Sequence, residues 1–474
     1  MRLTREVMLD RMAASDPAFN GRFIVGVHST GIYCLPSCRA RRPKPENVRF
    51  YDSIEAAREA GLRACKKCRP DDWAQGIDAD RDRLAAVLAT MWESPGRFRG
   101  IEDLAREAVM SPSVFFTAVR NQYQSTPGAL LTSARVRQAR RLLQSGGEVG
   151  AVGQEVGFES SSAYYENFGR RTGMPPAAYQ RLAGRTDFAV ELPDDFAPTP
   201  LFHYLGRDPN SLTERLTDEG VDLSVWAGEV PCRISLSVSG QSMRVCIDAD
   251  RPVDVFAVHH QVSRLLGLEQ DPRAFEEHVR GLGYGRLIEG REGMRIPLTP
   301  TPFDALVWCI VGQQVNLPFA FALRRRLSEK MAIPVGAGMF APPTAEWLAT
   351  RELEEFVPLQ YSRRKAEYLV GAAQSVVEGR LDLETLSRAP RSEIEKTLLA
   401  QRGIGPWAAN YLMMRALGSP DCVPVGDTGI TTALGRFFDV ARPGPEETLR
   451  LLEPFRPYRS YACYHLWQTL HKSD

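Results

Sequence analysis

Two close pairs of cysteines constrain this 474-residue chain more than any other feature. Three residues separate Cys34 from Cys38, and after a gap of 26 residues, two separate Cys65 from Cys68. Four soft sulfur ligands at this spacing predict one tetrahedral Zn²⁺ site with a small domain around it. The spacing alone leaves two alternatives open, namely reduced structural thiols or a zinc knuckle with a purely structural role.

The composition excludes several classes of protein. Hydrophobic residues make up 43% of the chain and charged residues 25%, which excludes a mainly disordered chain. No uninterrupted apolar run reaches the roughly 18 residues of a membrane span, and the N-terminus lacks the apolar core of a secretory signal. We therefore expect a cytoplasmic protein without disulfides. The cysteines outside the two pairs are predicted to be small buried hydrophobes: Cys232, Cys246, Cys309, Cys422 and Cys463.

Positive charge is concentrated in the first part of the chain. Residues 1–187 hold 28 Lys and Arg against 21 Asp and Glu, a net charge of +7, whereas the remainder holds 31 against 37. Around the cysteine pairs, residues 39–69 contain ten basic and four acidic side chains, including Arg39, Arg41 and Arg42. This excess favours contact with a phosphate backbone, although a solvated charged surface is the simpler alternative.

The pattern of residues divides the chain into four domains, predicted at 1–75, 80–184, 198–295 and 296–474. A polar link at 70–72 follows the first, and the acidic, Pro-rich segment 187–200 is predicted to be a linker. Alternating apolar residues on both sides of Gly240 predict a hairpin with one buried face. The fold class is therefore multidomain and mainly α with α+β parts.

The segments 23–41 (FIVGVHSTGIYCLPSCRAR), 47–51 (NVRFY) and 64–70 (ACKKCRP) resemble the zinc domain of Ada-type DNA alkylation-response proteins. The resemblance implies that Cys34, Cys38, Cys65 and Cys68 bind Zn²⁺. It further implies that Cys34 accepts a methyl group from a DNA methylphosphotriester in a single turnover. Metal binding favours the thiolate, which is the nucleophilic form of a cysteine.

Two helix pairs follow, at 101–120 and 149–171, with Ser111 predicted as an N-cap and Pro112 as the first helical residue of one second helix. Most isolated helix pairs only pack. These pairs, the basic helix between them and the ending 172–180 (TGMPPAAYQ) nevertheless resemble an AraC-type DNA-binding domain, whose second helices enter the major groove.

The C-terminal part contains a Gly-x-Gly turn at 398–411 (LLAQRGIGPWAANY), followed by 425–430 (VGDTGI). Together with 303–315 and 456–467, these segments resemble the helix-hairpin-helix glycosylases, and AlkA-type 3-methyladenine DNA glycosylases in particular. The mixed segment 201–290 fits the N-terminal module of that family less closely. Purely structural roles are the alternatives for three residues of these segments. Asp427 precedes a helical run, so it could simply cap that helix, and Tyr411 and Tyr458 could simply pack in the core.

The glycosylase resemblance assigns roles to individual residues. Asp427 matches the catalytic aspartate, which stabilises an oxocarbenium-like sugar. The resemblance implies base contacts for Tyr411 and Tyr458, and Trp407 lies where lyase-competent relatives have a lysine, so we expect a monofunctional enzyme. The hairpin amides are expected to bind the DNA backbone (Gly403, Ile404 and Gly405). A monovalent cation is a further expectation, held by carbonyls around Leu399, Gln401 and Ile404.

The sequence thus predicts a nucleoid-associated DNA alkylation repair and response protein that combines methyl acceptor, transcription activator and glycosylase. Double-stranded DNA and RNA polymerase are the expected partners, and a monomer is favoured. The alternative is a transcription regulator with a structural zinc site and a catalytically inactive glycosylase-like half. A Pro-Cys-His-Arg motif is missing from the sequence, so O6-methylguanine repair is not predicted.

Overall fold

A four-stranded sheet organises the first of two compact units, Met1–Ala86. The structure is a computed structural model that describes residues 3–75 and 79–470. The elements of this unit in chain order are α1 (Arg5–Ala14), β1 (Ile24–Val27), β2 (Ile32–Cys34), β3 (Val48–Tyr51), α2 (Ile54–Glu59), β4 (Arg63–Ala64) and α3 (Pro70–Ala74). The strand order is β3-β1-β2-β4, and only the short β2–β4 pair is parallel.

The prediction of a polar link at 70–72 is wrong, because these residues form the first turn of α3. Proline at the first helical position supplies a suitable φ, and Asp71 and Asp72 interact favourably with the positive end of the helix. The predicted junction between the first two domains includes residues 76–78, which lie outside the described residues.

The second unit, Val87–Asp474, begins with a bundle of short helices. These are α4 (Ala79–Glu93), which spans the boundary between the units, α5 (Ile101–Glu107), α6 (Pro112–Tyr123), α7 (Pro127–Gln144), α8 (Val149–Glu155), α9 (Ser161–Thr172) and α10 (Pro176–Gln180). Ser111 accepts a hydrogen bond from the Val114 N–H at the start of α6, so the predicted N-cap is confirmed. Ser160 caps α9 in the same way.

A five-stranded antiparallel sheet follows, in the order β5-β9-β8-β7-β6. Its elements are β5 (Asp187–Glu191), α11 (Pro198–Leu205), β6 (Glu214–Leu216), β7 (Gly220–Ala227), β8 (Val230–Ser239) and β9 (Ser242–Asp248), with α12 (Val255–Leu266) and α13 (Arg273–Gly281) after them. The predicted hairpin is confirmed: Ile234 pairs with Ile247 and Leu236 with Val245, and all four are buried.

Two sequence predictions fail in this sheet. The supposed linker 187–200 contains the edge strand β5, whose Phe188 and Val190 are buried while their neighbours are exposed. This alternation has the period of a strand, and it outweighs the acidic composition of the segment. Cys246 is exposed rather than buried, because it lies on the outward face of β9 between buried Val245 and Ile247.

After position 300, all the secondary-structure elements of the described residues are helices, as predicted. The helices are α14 (Pro302–Val311), α15 (Leu317–Met331), α16 (Ala345–Ala349), α17 (Arg363–Val377), α18 (Leu383–Leu386), α19 (Arg391–Leu399), α20 (Pro406–Arg415), α21 (Thr428–Phe438), α22 (Pro445–Leu452) and α23 (Arg459–Gln468). Helix α14 lies at the centre of their shared core, and its predicted apolar stripe is buried at Leu306, Val307, Ile310 and Val311. Among the described helices, none combines the length and apolar character needed to cross a membrane.

Candidate functional site

The four paired cysteines come together at one end of the small sheet. Cys34 ends β2, and Cys65 follows β4, where its N–H donates to the Tyr33 carbonyl at 2.9 Å. The Cys38 N–H closes a turn on the Leu35 carbonyl at 3.0 Å. All four Sγ atoms lie within 4.8 Å of one another. Zn–S bonds of about 2.3 Å in a tetrahedron place sulfurs about 3.8 Å apart, so the cluster fits a zinc ion.

Electrostatics at the cluster also fit a divalent cation. Hydrogen bonds to Cys38 and Cys68 raise the pKa of Cys34, whereas hydrogen bonds to Cys34 and Cys68 lower the pKa of Cys38 to about 2. The crowded thiols of Cys34 and Cys38 therefore do not both ionise readily by themselves. A bound Zn²⁺ ion would hold the four sulfurs as thiolates. Cys34 and Cys65 are the buried members of the cluster, and Cys38 and Cys68 are partly exposed.

The predicted arginines around this centre differ in their contacts. The side chains of Arg39, Arg41 and Arg42 are all exposed. Arg42 donates to the Met12 carbonyl at 2.5 Å and to Ser15 Oγ at 3.3 Å, so it holds the end of α1.

One ion pair beside the centre was not predicted from the sequence. The Arg58 guanidinium lies 2.9 Å from the Asp71 carboxylate and donates to the Tyr33 hydroxyl at 3.1 Å. Tyr33 immediately precedes Cys34 in the sequence. The pair connects α2 and α3 with β2.

The two helix-turn-helix pairs present their second helices to solvent. On α6, Val114 is 55% and Phe116 is 37% exposed, whereas Phe115 and Val119 are buried. On α9, Tyr165 is exposed beside buried Tyr164. Exposed apolar side chains near the start of a helix are suited to contact with thymine methyl groups in a major groove.

The Gly-x-Gly turn joins α19 to α20. Gly403 has φ +91, a conformation that side chains rarely adopt, and a Cβ there would lie 2.4 Å from the Tyr368 ring. Its carbonyl accepts a hydrogen bond from the Gln313 side chain at 2.8 Å. Gly405 is the exposed N-cap of α20, and the N–H groups of the first turn of a helix have no partner within the helix. Ile404 between the glycines is buried and anchors the turn.

Asp427 is the N-cap of α21, which is the structural role that the sequence also allowed for it. Besides the capping hydrogen bond, its carboxylate accepts hydrogen bonds from two indole N–H groups. The carboxylate Oδ1 accepts from the Ile430 N–H at 2.9 Å and from Trp467 Nε1 at 2.9 Å, while Oδ2 accepts from Trp407 Nε1 at 3.1 Å. A Cβ on Gly429 would lie 3.1 Å from Asp427 Oδ1 and from the Trp467 ring, so a side chain there would crowd both groups. Three donors fix the orientation of this half-buried carboxylate, and no described basic side chain forms an ion pair with it.

The aromatic residues fall into two groups. Tyr411 stacks on Trp407, with ring centroids 5.4 Å apart, and lies 6.2 Å from Trp467. Tyr458 instead packs at 6.4 Å from Phe275 and at 5.7 Å from His278.

Of the site residues from the glycosylase resemblance, Asp427, Trp407 and Tyr411 are therefore brought together, and Tyr458 lies in a neighbouring group. Trp467 was not predicted as a site residue. Its position one residue before the end of α23 carries no local signal for a partner 40 residues away.

Comparisons with known proteins agree with this arrangement. Residues 8–71 match the family described as the metal binding domain of Ada, residues 104–182 match a helix-turn-helix domain, and residues 307–457 match the HhH-GPD superfamily of base excision DNA repair proteins. The chain is 28% identical, over 96% of its own length and 95% of the relative's, to a probable bifunctional transcriptional activator/DNA repair enzyme AlkA of Mycobacterium tuberculosis.

Two further similarities cover the two ends of the chain separately. The bifunctional transcriptional activator/DNA repair enzyme Ada of Escherichia coli is 35% identical over 40% of this chain and 52% of its own length. The 3-methyladenine DNA glycosylase from Archaeoglobus fulgidus superposes with a TM-score of 0.53 at 19% identity, over 59% of this chain and 97% of its own, which shows a shared fold.

The fold and the sites together define a multidomain protein of the DNA repair and transcription regulation class. More particularly, the chain joins an Ada-type zinc-binding domain and an AraC-type helix-turn-helix domain to a glycosylase domain of the HhH-GPD superfamily. The domain types and the fold class predicted from the sequence are confirmed.

Proposed function

We propose that this protein excises alkylated bases from DNA and converts a methylphosphotriester signal into activation of transcription. The observation that carries the excision function is the Asp427 carboxylate, which is held by two indole N–H groups beside a helix-hairpin-helix turn. The names of the relatives support the same combination of activities.

In the excision step, the amides at Gly403 and Gly405 bind the DNA backbone, and the damaged nucleotide is flipped toward Tyr411. As the glycosidic bond breaks, its electron pair leaves with the base. The negative charge of Asp427 stabilises the positive charge that develops on the sugar. Water then adds to the sugar carbon and leaves an abasic site. Tyr458 is proposed to contact the base from the neighbouring aromatic group.

The enzyme is proposed to be monofunctional because the position of the lyase lysine holds Trp407. The indole of this residue has no nucleophilic amine, and its N–H is engaged with Asp427 at 3.1 Å. A Schiff base therefore cannot form at this position.

In the N-terminal unit, Cys34 is proposed to accept the methyl group, and Arg39, Arg41 and Arg42 are proposed to face the DNA backbone. The S–C bond would form at Cys34 as the CH3–O bond of the phosphotriester breaks, and the electron pair would leave on the oxygen of the restored phosphodiester. With Zn²⁺ held by the four cysteines, the formal charge of the centre would change from −2 to −1. The lower charge weakens repulsion from DNA phosphates, so repair strengthens DNA binding.

We propose four functional domains with the predicted bounds 1–75, 80–184, 198–295 and 296–474. The second of these domains binds promoter DNA in the major groove and recruits RNA polymerase as a monomer.

At the hairpin, a monovalent cation is proposed on carbonyls around Leu399, Gln401 and Ile404. The Gln401 carbonyl already accepts from the Ile404 N–H at 3.0 Å, which shapes this loop.

The excision function is tested by replacing Asp427 with Asn and measuring base release from methylated duplex DNA. We expect release to fall at least about 100-fold, because the negative charge at the sugar is lost. The matched control is Asp439→Asn at the other end of α21, where the exposed residue is the C-cap with φ 52 that Asn also adopts. Undiminished release by the Asp427 variant would exclude the catalytic role of Asp427, whereas the absence of release by the unmodified chain would favour the regulator with a catalytically inactive glycosylase-like half.

The methyl-acceptor function has a separate test. Incubation with DNA that carries methylphosphotriesters should add about 14 Da to the chain, and peptide mapping should place it on Cys34. A chain that binds zinc but gains no mass would have a purely structural metal site.

A further inference from the structure

The second helices of the two helix-turn-helix pairs can be compared position by position. Each is 12 residues long and begins directly after a capping serine, which is Ser111 for α6 and Ser160 for α9. The fourth and eighth residues of both helices are buried, namely Phe115 and Val119 in α6 and Tyr164 and Phe168 in α9. Because a helix turns by about 100° per residue, the second, sixth and tenth residues face away from that core.

The outward faces of the two helices differ in their chemistry. All of their outward residues are exposed, namely Ser113, Thr117 and Asn121 in α6 and Ser162, Glu166 and Arg170 in α9. The central outward residue of a helix that enters the major groove is well placed to reach a base edge. This position holds Thr117 in one helix and Glu166 in the other, so the two helices cannot read the same base in the same way.

On α6, the central position presents a methyl group. The hydroxyl of Thr117 donates to the Ser113 carbonyl at 2.9 Å, so its proton is already used within the helix. The exposed side chains of Val114 and Phe116 extend this apolar surface. Apolar groups form no hydrogen bond with a base edge, and the apolar group that a base presents in the major groove is the methyl group of thymine.

On α9, the central position presents a carboxylate. Arg170 lies one turn later on the same face, but its guanidinium donates to Asn167 Oδ1 at 2.8 Å, and Glu166 has no ion pair among the described residues. A carboxylate near DNA phosphates is repelled unless it accepts a hydrogen bond from a base. The N4 amino group of cytosine is such a donor, whereas the N7 acceptor beside the amino group of adenine disfavours a carboxylate.

We propose that the two helices read different bases, α6 a thymine through its methyl group and α9 a cytosine through its amino group. The inference rests on the proposed promoter binding and adds the chemistry of the DNA that is recognised. Thr117 and Glu166 are the residues that determine the sequence specificity. The DNA target is therefore asymmetric, with one part that contains the thymine and another that contains the cytosine, and it is not a repeat of one sequence.

The cytosine contact is tested by selecting binding sites from duplexes of random sequence. The full-length protein is first incubated with DNA that carries methylphosphotriesters, and its selected sequence is compared with that of the Glu166→Gln variant. A glutamine amide bonds to both N6 and N7 of adenine, so we expect the variant to prefer adenine over cytosine at one position by about 5- to 150-fold. The selected thymine should not change.

The matched control is Glu155→Gln, which removes the same charge from an exposed residue at the end of α8, the first helix of the same pair. It should select the same sequence as the unsubstituted protein. Both glutamates are exposed, so neither substitution removes a residue from the core.

The thymine contact is tested by removing a methyl group from the DNA. Each thymine of the selected duplex is replaced in turn by uracil, which lacks only this methyl group, and binding is measured by fluorescence anisotropy. We expect the affinity to fall about 4-fold at the thymine that α6 contacts, as for the loss of one buried methyl group. Thr117→Ser, which lacks the opposing methyl group, should respond less to the same replacement.

Other results would overturn the assignment. A Glu166→Gln variant that still selects cytosine would refute the contact from α9, and equal affinity for thymine and uracil at every position would refute the contact from α6. A selected site made of two copies of one sequence would refute the asymmetric target. If the unsubstituted protein selected no sequence at all, the proposed promoter binding itself would be wrong, and the excision function would be unaffected.

Discussion

At the scale of single residues, the excision site depends on the orientation of the Asp427 carboxylate. Trp467 donates to Oδ1 at 2.9 Å, and a hydrogen bond to a charged group contributes about 1.5–3 kcal/mol. Replacing Trp467 with Phe keeps an aromatic ring but removes the donor. We expect kcat for base release to fall about 10- to 100-fold with KM nearly unchanged, as measured by steady-state release from methylated DNA.

The control for this variant is Trp347→Phe, because the Trp347 ring lies 5.1 Å from the Arg351 guanidinium and its indole donates to no carboxylate among the described hydrogen bonds. An increase in KM without a change in kcat would show that Trp467 contacts substrate and does not position Asp427.

The metal centre gives a second prediction at this scale. Cys65→Ser should abolish zinc binding, since a serine hydroxyl is a poor substitute for a thiolate, and proteolysis of the N-terminal unit should accelerate. Elemental analysis of the purified chain measures the zinc content, with one equivalent expected before the substitution. Cys246→Ser is the matched control, because that cysteine is exposed and distant in sequence from the cluster. Full zinc content in the Cys65 variant would contradict the four-sulfur site.

Local sequence patterns predicted the ligand cysteines and the N-cap position of Asp427, because both are encoded over a few residues. They did not predict the bond from Trp467 or the packing of the Arg415 guanidinium on the Tyr204 ring. Asp427 and Trp467 are 40 positions apart in the sequence, and Tyr204 and Arg415 are 211 positions apart. Both contacts therefore depend on how the helices pack. No local periodicity records such packing.

At the scale of secondary-structure elements, the hairpin between α19 and α20 depends on one glycine. Gly403→Ala should destabilise the domain, because φ +91 is strained for alanine and its Cβ would lie 2.4 Å from the Tyr368 ring. We expect a loss of about 1–3 kcal/mol in the free energy of unfolding and weaker DNA binding. Urea denaturation and fluorescence anisotropy with duplex DNA measure the two effects.

Gly371 in α17 provides the opposite case for comparison. A Cβ there meets nothing within 4 Å, and the residue is inside a helix. Gly371→Ala should therefore raise the free energy of unfolding by about 0.5–1 kcal/mol and leave DNA binding unchanged. Equal effects of the two substitutions would mean that the hairpin conformation does not require glycine.

The edge strand β5 shows why the secondary structure of a segment is harder to predict than its polar or apolar character. Segment 187–200 has the acidic and proline content of a linker, yet Phe188 and Val190 pair β5 with β9 and fill the core. Two buried residues in five are a weak periodic signal, and the neighbouring strand is more than 50 residues away. The hairpin around Gly240 was predictable because both of its strands are adjacent in sequence.

At the scale of the whole molecule, the helix-turn-helix bundle and the sheet that follows it share one hydrophobic core. Phe168 and Tyr179 from the bundle belong to the same cluster as Phe188 of β5 and Val262 of α12. The imidazole of His259, on α12, hydrogen-bonds to the Thr172 carbonyl at the end of α9 at 2.7 Å. The regulator and the glycosylase are therefore not independently folded along this boundary, and separating them after residue 184 would expose apolar surface.

This shared core makes the stability of the second unit sensitive to acid. Burial lowers the pKa of His259 from 6.5 to about 3, so the folded chain keeps this ring neutral. The unfolded chain takes up the proton at a higher pH. The neutral His259 ring therefore makes its full contribution to the free energy of unfolding above about pH 6.5. As the pH falls from there toward about 3, the free energy of unfolding decreases by up to about 1.4 kcal/mol per pH unit.

Replacing His259 with Asn keeps a donor for the Thr172 carbonyl and removes the titrating group. The variant should lose less of its free energy of unfolding between pH 7.5 and pH 5 than the unmodified chain, by up to about 2 kcal/mol, in urea denaturation at the two pH values. His260 and His465, whose pKa values burial also lowers to about 3, remain in both proteins, so the difference isolates His259. The matched control is His278→Asn, which removes a partly exposed imidazole that is likewise bonded to a backbone carbonyl, that of Pro454. If the His259 variant were as acid-sensitive as the unmodified chain, protonation at the boundary between bundle and sheet would not be what destabilises the protein.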